Sequence, residues 1–402
     1  MARRLLFASI HSYLDPCSGA ALATRELLEL LAARGWDCRA LTCGVLDYQT
    51  ETPLEDVLAA IDRPTPRVGA GLRLGGEAEV FDLQLEGVRV TLLPTAFSRA
   101  ERAPGSREGA IFLDLADQVL DRFRPEVLLT YGGHPASREL MHRARAKGAA
   151  VVFHLHNFGY NNRRGFEDVD AVIFPSEYSR RFYARRTGLD GTVISDPIRL
   201  DRVIAENPEP KYVTFINPQP DKGVAVFARI ALDLGRRRPD IPLLVVEGRG
   251  TSDALAALPV DLSGLTNLSR MANTPDPRDF YRVSRVVLMP SLWRESLGRV
   301  PIEAMANGIP VLASDRGALP ETLGDAGFVF TIPERGTAAS ALVPTAQEVA
   351  PWVAVIERLW DEPAFEAEHR RRALAEAGRW DGDRLAEQYE KLFLSLRLLQ
   401  CK

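Results

Sequence analysis

Short apolar runs alternate with longer amphipathic ones over most of the chain. "RLLFASI", near the N-terminus, is a continuous apolar run and predicts a buried strand. "GAALATRELLELLAARG" repeats its apolar residues at helical spacing and closes on a glycine, which predicts a helix. "DCRALTC" predicts the next strand, so the chain opens with the strand-helix-strand unit of a parallel sheet. From about Gly44 to Arg107 the pattern is irregular and rich in Pro, Gly and charge. Within it, "EVFDLQLEGVRVTLLP" alternates with a period of two and predicts a hairpin turning at Glu86-Gly87. Alternation then resumes with helix "AIFLDLADQVLDRF", strand "EVLLTY", helix "SRELMHRARAKG", strands "AVVFHLH" and "AVIFPS", helix "YSRRFYARRTG" and strand "TVIS".

The stretch "DPIRLDRVIAENPEPKY" is polar and proline-rich and reads as a linker. A second series follows: strand "YVTFIN", helix "GVAVFARIALDLGRRRP", strand "PLLVVEG", helix "PRDFYRVS", strand "RVVLMPS", a helix from about Arg299 and strand "PVLAS". The tail is helical, with Thr345 and Glu348 in capping-box spacing. The fold class expected is α/β, two successive Rossmann-like, doubly wound parallel-sheet domains facing a central cleft. Residues 1–196 form the first, 197–211 the linker and 212–380 the second. In such sheets ligands bind at the carboxyl ends of the strands.

Composition narrows the reading. The chain has 402 residues, 46% hydrophobic and 26% charged, enough apolar material for two cores. A formal net charge of -4 argues against nucleic-acid binding by bulk charge. Cys17, Cys38, Cys43 and Cys401 follow neither a zinc nor a disulfide spacing and read as reduced thiols of a cytosolic protein. "MARRLLFASIHSYL" is interrupted by His11 too early for a signal peptide, and no run approaches a membrane span.

Three strand-to-helix loops carry candidate chemistry. In "HSYLDPCSGAAL", Gly19 and the small residues after it permit close backbone approach at a helix start, whose N–H groups favour an anion. In "INPQPDKGVAVF", Lys222 stands just before a helix start, a poor place for a cation unless it meets a phosphate. In "ESLGRVPIEAMANGIPVL", Ser296, Leu297 and Gly298 precede the helix that carries Glu303, while Glu295 lies before it. The two carboxylates are too far apart to share a proton, so each is expected to accept hydrogen bonds from hydroxyls, one at the loop mouth and one deeper.

Together these residues resemble the retaining glycosyltransferases of the GT-B fold, family 4. The family's E-x7-E pattern appears as Glu295 and Glu303, followed by "EAMANGIPV"; its G-G-x-x-E element appears as Gly317, Ala318 and Glu321, and its lysine-glycine loop as Lys222-Gly223. The likeness is strong over 212–330 and diffuse over 44–110. It implies a metal-independent transfer of a sugar, with retention, from a nucleotide-sugar donor to a glycan- or lipid-linked acceptor, without a cofactor. It implies that Glu303 binds the ribose, that Glu295 binds the transferred sugar, and that Lys222 and the backbone at Gly19 and Leu297–Arg299 neutralise the diphosphate. His156 matches the family histidine near the reacting sugar, and the base would be held around Arg270–Thr274. It also implies a final helix, about 381–400, packed back on the first domain, and a hinge near 196–211. One departure is visible: the arginine expected before the lysine is replaced by Asn217-Pro218-Gln219. Arg249, in "VVEGRGTS", is the candidate substitute, and Arg294 the second.

Other signals point elsewhere. "DVD" at Asp168–Asp170 opens a strand, and His154 with His156 forms an H-x-H pair, but no acidic residue of matching spacing follows, so a metal is a minority reading. "GAGLRLGG" at Gly69–Gly76 lacks the strand-to-helix context of a dinucleotide fingerprint. Arg180, Arg181, Arg185 and Arg186 form either a solvated helix face or a patch for an anionic membrane or acceptor. The alternatives are an impaired GT-B protein acting as a nucleotide-sugar or glycan scaffold, or another GT-B enzyme such as an epimerase or a phosphorylase. Neither the acid/base set of an epimerase nor a phosphorylase's pyridoxal lysine is evident.

Overall fold

The computed structural model describes residues 3–46, 54–59, 65–69, 78–99, 105–340 and 342–400. All but the first residue of the "GAGLRLGG" stretch, and Cys401, lie outside them. The chain divides into two compact units: Met1–Pro175 with Arg180–Pro197 and Gly382–Lys402, and Ser176–Ser179 with Ile198–Asp381.

The first unit begins β1 (Arg4–His11), α1 (Gly19–Ala33) and β2 (Asp37–Val45), followed by α2 (Leu54–Ala59), β3 (Thr65–Gly69), β4 (Ala78–Leu85) and β5 (Val88–Leu93). It continues through α3 (Ser106–Phe123), β6 (Val127–Thr130), α4 (Pro135–Ala146), β7 (Ala150–His154), β8 (Ala171–Phe174), α5 (Glu177–Thr187) and β9 (Thr192–Val193). These strands form one sheet in the order β3-β4-β5-β2-β1-β6-β7-β8-β9. All neighbours are parallel except β4, which runs against β3 and β5. The β4–β5 hairpin turns at Glu86 (φ 45°) and Gly87 (φ 83°), two left-handed residues, as a tight hairpin with right-handed twist requires. β1, β6 and β7 are buried along nearly their whole length, as strands covered on both faces must be.

The second unit comprises β10 (Tyr212–Ile216), α6 (Val224–Arg237), β11 (Leu243–Val246), α7 (Asp253–Ala256), β12 (Leu268–Met271), α8 (Arg278–Val283) and β13 (Ser284–Met289). It continues with α9 (Arg299–Ala306), β14 (Val311–Ser314), α10 (Leu319–Leu323), β15 (Phe328–Phe330), α11 (Ala346–Asp361) and α12 (Pro363–Ala377). Its sheet is parallel throughout, in the doubly wound order β12-β11-β10-β13-β14-β15. The core joins α6 and α11 to the sheet, with Phe215 stacked on Phe227 at 4.8 Å and Trp352 fully enclosed. Four of these elements, α7, β12, α10 and β15, escape the apolar pattern: "LSRM" is half polar and "FVF" only three residues long, and both strands lie at sheet edges.

The last helix, α13 (Gly382–Gln400), belongs to the first unit. Glu390 accepts from the Trp36 indole at 2.8 Å and from Arg34 at 2.7 Å, and Phe393 packs edge-on against Trp36. No described helix is long and apolar enough to cross a membrane.

Candidate active site

In the second unit the order of strands reverses between β10 and β13, the position at which doubly wound sheets bind ligands. The loop after β10 carries Lys222 and the loop after β13 carries Glu295, and the two side chains meet: Lys222 Nζ lies 2.8 Å from Glu295 Oε1. The same oxygen accepts from the Ser291 hydroxyl at 2.9 Å. The backbone joins these loops as well. Leu292 and Trp293 donate their N–H groups to the Asp221 carbonyl at 2.8 and 2.9 Å. Gly223 has φ +85°, and a Cβ there would fall 1.9 Å from the Pro290 carbonyl oxygen. Only glycine allows both the left-handed turn and this approach.

Glu295 is fixed from its other side by the 317–321 segment. Ala318 donates to the Glu295 carbonyl at 2.8 Å, and Gly317 (φ +70°) leaves a Cβ position only 2.2 Å from that oxygen. Gly298, at φ +100°, caps α9, and the Leu297 carbonyl accepts from Thr322 at 2.5 Å. Ser296, Leu297, Gly298 and Arg299 therefore form a tightly held turn into α9. One turn along it, Glu303 is buried at 8% exposure and held by two groups: the Tyr281 phenol at 2.9 Å and the Arg299 guanidinium at 3.1 Å. Burial, then the Glu303 carboxylate, pushes the Tyr281 phenol well above its ordinary range, so it stays a donor. Sequence reasoning gave Arg299 a backbone role only, and it missed Tyr281 altogether. Nothing in "PRDFYRVS" separates a carboxylate-holding tyrosine from a core aromatic.

Arg249 lies in the loop after β11, and that loop packs directly on the segment lacking the expected arginine. Gly250 donates to the Asn217 side chain at 2.8 Å, and a Cβ on Gly250 would meet the Pro218 carbonyl oxygen at 2.4 Å. Asn217 itself is left-handed, with φ 61°. Arg249 is half-buried.

In the first unit, Gly19 opens α1 behind Ser18, and Asp15 already supplies a carboxylate to this turn. Its Oδ1 accepts from the amides of Cys17 (2.8 Å) and Ser18 (3.0 Å). The loop was expected to present its amides to an anion; two of those just before the helix serve an internal one. His156 follows β7, with Tyr131 edge-on at 5.2 Å and the His154 ring 4.0 Å away. Asp196, just past β9, brings Oδ2 to 3.7 Å from His156 Nδ1 and Oδ1 to 3.0 Å from His154 Nε2. This corrects the sequence reading, which found no acidic partner for the histidine pair: the fold brings one from a distant loop. Possible ligand atoms of the three residues lie within 4.8 Å of one another. The basic helix α5 is less open than its sequence suggested, since Arg180 pairs with Asp190 at 2.9 Å and Arg186 donates to Asn161 at 3.1 Å. Arg181 and Arg185 are exposed.

Two Rossmann-like units with carboxylate-, lysine- and glycine-bearing loops at a switch point define the class of GT-B proteins. Residues 18–195 match the family model described as Glycosyl transferase 4-like domain, and residues 210–348 match Glycosyl transferases group 1. The chain belongs to the group 1 glycosyl transferases, family 4. It is similar to a phosphatidyl-myo-inositol mannosyltransferase of Mycolicibacterium smegmatis, 31% identical over 188 residues, which cover 44% of this chain and 48% of the relative. It is also similar to a D-inositol 3-phosphate glycosyltransferase of Arthrobacter, 32% identical over 165 residues, covering 39% of this chain and 35% of the relative. The chain thus matches about half or less of the length of these curated relatives. Among solved structures, the sucrose-phosphate synthase of Thermosynechococcus elongatus superposes with a TM-score of 0.66 at 16% identity, covering 98% of this chain and 99% of the other. Anabaena HepE, solved in complex with UDP and glucose, gives a TM-score of 0.63 at 17% identity, covering 97% of this chain and 99% of the other. At these identities the superpositions establish the GT-B fold.

Proposed function

We propose that this protein is a retaining, metal-independent glycosyltransferase that moves a hexosyl group from a nucleoside-diphosphate sugar to a hydroxyl of a glycan- or lipid-linked acceptor. The observation that carries the reading is the meeting of Lys222 and Glu295 where the second sheet reverses its strand order. In this reading Glu303, steadied by Tyr281 and Arg299, accepts from the ribose hydroxyls. Glu295 accepts from hydroxyls of the sugar. Lys222, Arg249, and the amides of the Ser296–Arg299 turn and of Gly19 hold the diphosphate. The names of the mycobacterial and Arthrobacter relatives, which describe transfer of sugars to inositol compounds, support this class of reaction.

The chemistry asks little covalent work of the protein. The bond from the sugar's anomeric carbon to the diphosphate oxygen breaks, and negative charge develops on the departing nucleoside diphosphate. Fixed cations and amides stabilise that charge without reorganising as it forms. The acceptor oxygen attacks on the face the diphosphate leaves and passes its proton to the leaving phosphate oxygen. The sugar passes through an oxocarbenium-like transition state, with His156 beside it. No carboxylate becomes covalently bound.

The test is release of nucleoside diphosphate from a panel of UDP-, GDP-, ADP- and TDP-sugars, with and without excess EDTA. One donor should turn over equally in both conditions, and the same donor should raise the melting temperature. A metal-restorable loss in EDTA would overturn metal independence. Donor binding without release or transfer, across the panel and with acceptor extracts present, would leave a binding scaffold instead; the replaced arginine at Asn217–Gln219 favours that reading.

A further inference from the structure

Within the first unit, His154, Asp196 and Tyr389 form a buried polar network that the transfer chemistry itself does not require. Their exposures are 0%, 5% and 0%. They come from three separate places in the chain: the end of β7, the segment after β9, and α13. His154 Nε2 lies 3.0 Å from Asp196 Oδ1 and 3.1 Å from the Tyr389 hydroxyl. The Tyr389 hydroxyl also lies within 3.5 Å of the Ile194 carbonyl and 3.4 Å of the Ser195 carbonyl, so it tethers the strand end that delivers Asp196. A buried carboxylate is costly unless paired and hydrogen-bonded, and this one faces two imidazoles. One of them, His154, is wholly enclosed and cannot reach a substrate. The other, His156, lies two residues past the end of β7 and is partly exposed.

We infer that Asp196 is a positioning residue for His156: its Oδ2 aims the imidazole through Nδ1, while His154, itself held by the Tyr389 hydroxyl, lies against Oδ1. The 3.7 Å separation of Oδ2 from Nδ1 closes to a hydrogen bond with a small rotation of the ring. With Nδ1 protonated and directed at Asp196, Nε2 is left as the nitrogen presented to the donor sugar. This is the general logic by which a carboxylate selects one tautomer and one orientation of a working histidine. The inference rests on the proposed role of His156.

The experiment compares His156→Ala, Asp196→Asn, His154→Gln and the double variant His156→Ala/Asp196→Asn in the full-length protein, by nucleoside-diphosphate release with the donor identified above. Each is first checked for the wild-type circular dichroism spectrum and for binding of the free nucleoside diphosphate. Asp196→Asn should lower kcat roughly ten- to hundredfold while leaving donor KM within about threefold. The double variant should be no worse than His156→Ala alone, because two residues acting as a unit are not additive. Asp196→Glu, with the carboxylate kept, should recover part of kcat. If the losses add, Asp196 acts independently and the inference fails. If Asp196→Asn lowers kcat only in proportion to lost folded protein, its role is structural and the inference fails. If His156→Ala keeps full activity, the reading of His156 falls first. If wild-type activity is lost in EDTA and restored by zinc, the trio holds a metal and the positioning role is overturned.

Discussion

Lys222 donates to Glu295 at 2.8 Å, so the cation expected to meet a diphosphate is already paired with the carboxylate expected to meet a sugar. Both are mostly buried, with side-chain exposures of 19% and 11%. An incoming diphosphate must therefore take the lysine from its partner, and the sugar hydroxyls must take over the carboxylate. The two substitutions should separate. A charge-assisted contact to phosphate contributes on the order of 1.5–3 kcal/mol, so Lys222→Ala should weaken free nucleoside diphosphate about ten- to hundredfold. Glu295→Ala removes the competitor and should leave that affinity equal or higher, yet lower turnover. Calorimetry of the free diphosphate beside steady-state kinetics makes the comparison. Equal weakening by both variants would sink the division of roles.

Arg249 is expected to replace the arginine missing at Asn217–Gln219, because its loop packs against that segment through Gly250 and Asn217. Arg249→Ala should raise the donor Kd roughly ten- to hundredfold with the fold intact. Arg249→Lys should recover only part, since it keeps the charge but not the planar fork. An Arg249→Ala protein that binds donor normally would pass the role to Arg294.

The architecture was legible because apolar runs of strand length alternate with amphipathic runs of helix length, and both sheets follow that alternation. The polar edge strand β12 and the short β15 carried no such signal, because an edge strand need not be apolar on both faces. Likewise, Lys222, Glu295 and Glu303 were visible through their spacing around helix starts. The contacts that hold them were not. Tyr281 reaches Glu303 from a different helix, and Asp196 reaches the histidines from a distant strand end. Such pairings are set by sheet order and crossover, which local periodicity does not encode. Even the Lys222–Glu295 pair follows only once β10 and β13 are known to be neighbours.

Gly223 offers a sharper test of how the Lys222 loop is built. Its left-handed φ of +85° alone disfavours any L side chain by about 1–2 kcal/mol. A methyl group would also sit 1.9 Å from the Pro290 carbonyl oxygen, a backbone atom that cannot step aside cheaply. Gly223→Ala should therefore destabilise by at least about 2 kcal/mol and lower the melting temperature by roughly 4–8 °C. It should also weaken free nucleoside diphosphate, because the displaced loop carries Lys222. Gly148→Ala is the control: its φ of +84° is equally strained, but nothing lies within 4 Å of its Cβ position. The difference between the two melting temperatures reports the clash alone, and no difference would mean the loop yields freely.

The buried His154 gives the fold a defined acid sensitivity. Burial, and then the neighbouring charge of His156, lowers its pKa from 6.5 to about 4, against the opposing pull of Asp196. The folded protein thus holds this imidazole neutral at a pH where the unfolded chain protonates it. The unfolded state then binds more protons, so stability rises with pH across that interval. Read downward, the contribution is complete above about pH 6.5 and is lost progressively as pH falls towards 4. Each pH unit in that window costs up to about 1.4 kcal/mol. Asp196 is depressed rather than raised: burial alone would lift it, but His156 and His154 more than offset that. Its contribution is lost only as pH falls below the ordinary carboxylate value, so the two titrations are separable. His156 and Tyr389, which face the same ring, are left in place in the test. His154→Gln keeps a neutral hydrogen-bond donor but cannot titrate. Its melting temperature should depend less steeply on pH than the wild type between 6.5 and 4, and run parallel to it at higher pH. Parallel curves across the whole range would assign the acid sensitivity to another group and show that His154 is not held neutral by the fold.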